Sequence, residues 1–408
     1  MLHFIRSNAR WLAGGFLLSF FSSFGQTYFI SLSAGEIRAE YGLTNGQWGG
    51  LYMMATLASA VTLLWVGRSV DAWRAGLVGA ASLCGLAIAC LMMGFGQGIV
   101  LLGVTVWLLR LFGQGMCIHV ATTAIAKWFV AQRGRALSLT TIGIDCGAAI
   151  LPLAFVFIMQ AAGWRTAWFV AAAMALFVVA PLVGSLLRVD RAPRASDPVS
   201  TRPAVRDWTR GEALRDPLFY LLLAGVLIPP FVGTTIAFHQ VYLTELRGWS
   251  LATFASGYPL FSGATVVSAL LCGSLIDRFT ALRILPVFLL PLIIGTVTLA
   301  LGREEWTIFA WMACFGMALG TSGTLLGAVW PEVYGTAHLG AIRSVIVAAT
   351  VFATAAGPGL TGMLIDQGYD YSMQMLAMAL IAAIMMAILV PLSVRLRRRQ
   401  AAEARAVA

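Results

Sequence analysis

Long uninterrupted apolar runs constrain this chain more than any other feature. Twelve occur, at roughly 11–34, 47–66, 75–95, 98–126, 135–161, 165–187, 217–244, 251–274, 281–301, 305–330, 339–365 and 371–394. About 20 apolar residues are enough for a helix to cross the hydrocarbon core of a bilayer. The runs are continuous rather than alternating, which excludes a closed β-barrel. Composition agrees: 60% of the residues are hydrophobic and only 11% charged, against about a quarter charged in soluble proteins. The expected fold class is an all-α integral membrane protein with twelve transmembrane helices.

The net charge of +10 could suggest nucleic-acid binding, but the positions of the basic residues point elsewhere. With both termini cytoplasmic, 22 of the 27 basic residues fall on the cytoplasmic side. Only Arg38, Arg165, Arg247 and Arg303 fall on the other. This asymmetry is what the positive-inside rule requires, so the charge is a topology signal. It predicts a bacterial-type inner-membrane protein with both ends inside. The apolar run after Arg10 reads as a retained first span, because no small-residue cleavage site follows a short hydrophobic region. The longest break between spans holds seven arginines together with Pro193, Pro198 and Pro203. It reads as a linker and divides the chain into an N-terminal six-helix bundle at 1–187, a cytoplasmic linker at 188–215 and a C-terminal six-helix bundle with a short basic tail at 216–408. The six cysteines all sit in apolar runs, so neither a disulfide framework nor a metal site is expected.

The two halves match at a fixed offset of 206 residues. Gly42-Leu43-Thr44 corresponds to Gly248-Trp249-Ser250, Tyr52 to Tyr258, Gly67 and Asp71 to Gly273 and Asp277, Gly134 to Gly340, and Pro152 to Pro358. One such match is easily accidental; one register kept over separate elements is not. Parallel six-span repeats related by an axis along the membrane normal are a known transporter architecture, with the substrate site near the midplane between them.

Four local patterns make the chain similar to the major facilitator superfamily. The loop after span two reads Gly67-Arg68-Ser69-Val70-Asp71-Ala72-Trp73-Arg74, and its repeat Gly273-Ser274-Leu275-Ile276-Asp277-Arg278. This resembles the family signature of Gly, three residues, Asp and basic residues, with Ala72 at a position usually basic. Span four carries Arg110-Leu111-Phe112-Gly113-Gln114-Gly115, like the family's intramembrane arginine motif. Span five carries Gly143-Ile144-Asp145-Cys146-Gly147 before Pro152, resembling the glycine-rich antiporter motif without its Gly-Pro junction; span eleven has Gly357-Pro358-Gly359. A finer likeness, to the monocarboxylate and oxalate porter branches, rests on Lys127-Trp128-Phe129 with Arg133-Gly134 and on Phe238-His239-Gln240-Val241-Tyr242-Leu243. Those branches carry a charge in span eight, whereas Ala252 to Ser274 holds none. The resemblance implies two pseudo-symmetric six-helix bundles, a monomeric secondary transporter and a conformational latch at Gly67, Asp71, Arg74, Gly273, Asp277 and Arg278.

Within the spans, charge is scarce enough to be informative. Arg110 is the basic residue placed far inside a span, at a cost of about 2.5–3.5 kcal/mol on insertion scales, and Asp145 is its carboxylate counterpart. At ~1.5 Å rise per residue both lie near mid-bilayer, so an ion pair across spans four and five is expected, either exchanged by a proton or anionic substrate or kept as a fixed clasp. Gly143 and Gly147 share the face of span five away from Asp145 and suit close helix packing. Gln114, Gln26 and His239 are further candidates for substrate or proton coupling. His119 reads as a packing residue. Thr321, Ser322 and Thr324 lie among Gly316, Gly320, Gly323 and Gly327, a run suited either to close packing or to lining a cavity.

These features exclude several classes. An ATP-driven pump needs a glycine-rich phosphate loop with its lysine, and Lys127 is the chain's single lysine with no such loop around it. An intramembrane enzyme needs a nucleophile–base pair or a metal cluster, and none is spelled out; no cofactor is expected. A sensor or scaffold on a transporter fold would carry an added soluble domain, which is not evident. The expected function is secondary or facilitated transport of a small organic solute, an organic anion such as a carboxylate, with protons as a possible coupling partner. Proton-coupled export of hydrophobic drug-like compounds is the alternative, and a non-transporting membrane sensor or scaffold on the same fold is the alternative of a different class.

Overall fold

A computed structural model describes residues 2–129, 132–191, 206–335 and 337–407. Half of the expected linker, 192–205, lies outside the described residues. No strand occurs among the described residues, and eleven helices are long and apolar enough to cross a membrane. After α1 (Leu2–Phe21) these are α2 (Asn45–Val66), α3 (Ala75–Phe95), α4 (Ile99–Trp128), α5 (Arg133–Ala162), α6 (Trp164–Leu186), α7 (Pro217–Phe238), α8 (Leu251–Phe279), α9 (Ala281–Leu301), α10 (Trp306–Tyr334), α11 (Leu339–Asp366) and α12 (Tyr371–Val407).

The remaining expected span, 11–34, is discontinuous. The chain leaves α1 at Phe21, makes a tight helical turn over Ser22–Gly25, passes through Gln26 in an extended conformation (ψ 151°), and resumes in short helical pieces through Tyr41. Discontinuous spans expose backbone carbonyls that a buried cation can use.

The repeat is visible in the turn chemistry. Gly42 (φ +63°) and Gly248 (φ +66°) both close a preceding helix in the left-handed conformation, where glycine carries no steric penalty. Two residues on, Thr44 caps α2 through a reciprocal bond pair with Gln47, and Ser250 caps α8. Each side chain satisfies an N–H that the first helical turn leaves without a partner.

The described residues form two compact units. One draws on Met1–Val199, Ala237–Pro259 and Pro358–Met363; the other on Ser200–Ile236, Leu260–Gly357 and Leu364–Ala408. The first is cored by aromatic contacts such as Phe29 against Phe155 and Trp168. In the second, Phe219, Trp330 and Tyr334 pack together, and buried Asp216 accepts hydrogen bonds from the Tyr334 hydroxyl and from Arg399, whose guanidinium lies over Trp208. At the start of this unit Thr209 and Glu212 cap a short helix, and the Thr209 N–H holds the Glu212 carboxyl below its ordinary range. Outward-facing surfaces are apolar, with Leu64, Trp65, Val100, Phe177 and Leu270 exposed, as lipid contact requires.

Candidate functional site

Arg110 sits in a stretch of α4, Leu109–Cys117, wound with the wider π-helical turn. This stretch meets the break in the first span backbone to backbone. A Cβ added at Gly25 would lie 2.1 Å from the Leu109 carbonyl oxygen, and one at Gly113 would lie 2.5 Å from the Gly25 Cα. Only two glycines permit that approach. It brings the guanidinium of Arg110, which is 3% exposed, onto the first span: Nη1 donates to the Gly25 carbonyl (3.0 Å) and to Thr27 Oγ1 (3.3 Å). The Tyr52 ring centroid lies 5.4 Å from the Arg110 Cζ, and the Tyr52 hydroxyl shares a 2.6 Å hydrogen bond with Thr27. The Arg110 Nε is buried with no acceptor.

The expected Arg110–Asp145 ion pair does not form: among the described residues none joins them. The reason lies in the first span. The glycine face of α5 packs against it, as the spacing predicted, with a Cβ at Gly143 falling 2.4 Å from the Phe16 carbonyl and one at Gly147 2.4 Å from that of Phe20. The π-helical stretch of α4 packs against the same span further along, at Gly25. Arg110 therefore spends its donors on that span's carbonyl and hydroxyl, while Asp145 is half-buried and forms no ion pair among the described residues.

Tyr28 belongs to a polar network centred on Gln240, a residue the sequence reading did not single out for chemistry. Fully buried Gln240 donates through Nε2 to the Tyr28 carbonyl (2.7 Å) and Ser31 Oγ (2.8 Å), and its Oε1 accepts from the Tyr258 hydroxyl (3.0 Å). Ser31 donates in turn to the Ala237 carbonyl (2.7 Å), Tyr28 donates to Ser23 (3.0 Å), and the Tyr28 and Tyr258 rings lie 5.3 Å apart. His239 is buried at the break between α7 and the short helix Gln240–Arg247, with Nε2 3.2 Å from the Pro358 carbonyl and its ring against Phe238. Gln114 is half-buried within the Arg110 stretch, and Gln26 is half-buried at the break in the first span. The available signal for Gln240 was its place beside His239 and at the end of α7.

The residues expected to form a latch divide. Asp71 pairs with Lys127 rather than Arg74, which stays exposed, and His119 Nε2 lies 3.1 Å from the Gly67 carbonyl. Asp277 and Arg278 are exposed, and neither forms an ion pair among the described residues. The glycine-rich stretch of α10 serves both expected purposes. Gly316 and Gly320 pack against α8, where an added Cβ would meet the carbonyls of Phe261 (2.3 Å) and Thr265 (2.1 Å); around Gly323 and Gly327 nothing lies within 4 Å. Among the described residues no group of His, Cys, Asp and Glu could hold a metal ion.

Comparison with known proteins places this geometry in context. The profile of the Major Facilitator Superfamily matches residues 15–345. A Mycolicibacterium smegmatis protein named as an MFS-type efflux pump is 29% identical over 349 residues, covering 81% of this chain and 76% of its own length. A Cupriavidus necator protein named "Probable sulfoacetate transporter" is 30% identical over 166 residues, 40% of this chain and 38% of the relative. A solved bacterial homologue of the human lysosomal transporter Spinster, described as inward-facing and unoccupied, superposes with a TM-score of 0.76 at 17% identity, over 96% of this chain and 98% of that one. A nucleoside transporter superposes with a TM-score of 0.67 at 11% identity, over 95% and 99%. These two likenesses concern the fold.

Proposed function

The chain belongs to the major facilitator superfamily and is a membrane transporter, and from that premise we propose that it moves small organic anions, carboxylates or sulfonates, by alternating access. The observation that carries this reading is Arg110. A cation held inside a span costs about 2.5–3.5 kcal/mol on insertion scales, and its direct partners here, Gly25 and Thr27, offer neutral oxygens. They solvate the guanidinium without neutralising it, and Nε keeps a free donor. A bound carboxylate or sulfonate supplies both the missing acceptor and the missing charge, and guanidinium is suited to bidentate pairing with such groups. Naming of one relative for sulfoacetate, an anion of this class, supports the choice. In this reading Gln114 and Gln26 line the approach to Arg110. Asp145, free of any ion pair among the described residues, is the group that takes up a coupling proton, and His239 holds the break in α7. The two sequence halves, 1–187 and 216–408, alternate about the linker with both termini cytoplasmic in a bacterial inner membrane.

The efflux-pump relative favours a second reading, export of apolar drug-like compounds. Counterflow in proteoliposomes separates the two. Sulfoacetate and short monocarboxylates should exchange saturably without ATP, and Arg110→Gln should abolish exchange while the thermal melt shows a folded protein. Transport of neutral or cationic dyes alone, undiminished in Arg110→Gln, would leave the export reading standing and remove the anion one.

A further inference from the structure

The second unit contains a cavity of about 150 Å³ between α7, α10 and α11, lined by Val226, Gly323, Gly327, Trp330, Arg343 and Thr350 together with three aliphatic residues. Glycine creates it: an added Cβ at Gly323 or Gly327 meets nothing within 4 Å, whereas Gly316 and Gly320 on the same helix are in tight contact with α8. The lining is apolar except for Arg343 and Thr350. Arg343, Ile346, Val347 and Thr350 follow the i, i+3, i+4, i+7 spacing that puts residues on one helical face, so Arg343 and Thr350 line the same cavity two turns apart. Arg343 is the charged residue in this lining; its side chain is exposed at the cavity's open side, and among the described residues it makes no hydrogen bond or ion pair.

We propose that this cavity is a second anion site, a staging position that holds the carboxylate or sulfonate of a small organic acid on Arg343 with its carbon skeleton against Trp330 and the glycine floor. The inference rests on the anion-transport reading above. A volume of this size equals about five waters of the liquid, room for a small organic acid. Arg343 lies one turn into α11, at the end that the basic-residue asymmetry assigns to the cytoplasm, so the site meets solute entering or leaving on that side. The Thr350 hydroxyl is occupied by a bond to the Ile346 carbonyl, which leaves the guanidinium as the anion-binding group.

The test titrates purified full-length protein in detergent with sulfoacetate, acetate, glycolate and succinate, reading half-saturation of thermal stabilisation. Arg343→Gln should weaken half-saturation about tenfold, the scale of one charge-assisted hydrogen bond, and Arg343→Lys should recover part of it. Gly327→Leu, which fills the cavity without touching a charge, should weaken it comparably while leaving the unliganded melt unchanged or higher. Arg110→Gln, run in parallel, reports on the central site. Stabilisation that Arg110→Gln removes, but that Arg343→Gln and Gly327→Leu leave within twofold of wild type, overturns the second site alone. No stabilisation by any of the four acids overturns both readings. Stabilisation by phosphatidylglycerol with none by the small acids would assign the Arg343 charge to lipid and also overturn the proposal.

Discussion

At the scale of single residues, the decisive contact is a cation resting on neutral oxygens. Arg110 and Asp145 both lie inside spans, yet the guanidinium bonds Gly25 and Thr27 and no ion pair joins it to Asp145 among the described residues. Groups that share no partner behave additively on mutation, within about 0.3–0.5 kcal/mol. The destabilisation of Arg110→Gln and that of Asp145→Asn should therefore sum in the double variant, as read from thermal or denaturant unfolding in detergent. A coupling of more than about 1 kcal/mol would restore the ion pair. Arg110→Lys keeps the charge but replaces a planar fork by a point charge, so transport of carboxylates should fall about tenfold or more. That these two residues bear on function was legible in the sequence, because intramembrane charge is costly. Their partners were not. The ion pair was inferred from the adjacency of spans four and five and from depth along ideal helices, and neither argument registers a first span that breaks at Gly25–Gln26 and supplies acceptors of its own.

At the scale of elements, glycine decides how closely helices meet, and two classes of glycine give opposite predictions. Gly113 in the π-helical stretch has the Gly25 Cα only 2.5 Å from where its Cβ would be, and both neighbours are backbone that cannot rotate away. Gly113→Ala should therefore destabilise the protein by about 1–3 kcal/mol or more, the range for overpacking, and should impair transport by pushing Arg110 off the first span. Gly263 in α8 has nothing within 4 Å of an added Cβ. Gly263→Ala should be neutral or stabilising by up to about 1 kcal/mol through helix propensity. Equal unfolding midpoints for the two variants would remove the close-approach argument. The caps offer a gentler check: Thr44→Ala should cost about 1 kcal/mol, the usual worth of an N-cap, by loss of its bond from the Gln47 N–H. Eleven of the helices could be read directly, since apolar length is what a bilayer selects. Gly143 and Gly147 could be read too, because an i, i+4 glycine pair faces one neighbour. The π-helical winding of Leu109–Cys117 could not be, as it contains no proline and its composition suits an ordinary helix.

At the scale of the whole molecule, the offset of 206 residues has a geometric consequence. Two repeats related by a twofold axis bring residue i against its own equivalent only on that axis, as at an isologous interface. Ser31 donates to the carbonyl of Ala237, its equivalent at that offset, and a Cβ at Gly35 would lie 3.1 Å from a methyl carbon of Val241, also its equivalent. Both contacts lie within the first compact unit, between the first span's broken segment and the start of the Gln240–Arg247 helix. The repeat itself was legible from turn glycines and prolines, which need particular backbone conformations. The equivalents in contact were not, because Gly35 and Val241 are chemically unlike and only their contact relates them. Arg38 and Glu245 close the same interface with a 3.0 Å ion pair. If transport alternates, contacts between the two sequence repeats at these positions must part in every cycle. A Gly35→Cys, Val241→Cys double variant tests this, since the spacing is compatible with the 3.5–4.5 Å between Cβ atoms of a disulfide. Oxidation should form the bond and stop transport in proteoliposomes, and reduction should restore it. The six native cysteines are unpaired, so the parent protein under the same oxidant is the control and should keep its activity. Undiminished transport in protein shown by mass spectrometry to be fully cross-linked would mean that this interface stays closed throughout the cycle, and the alternating-access reading would fail with it.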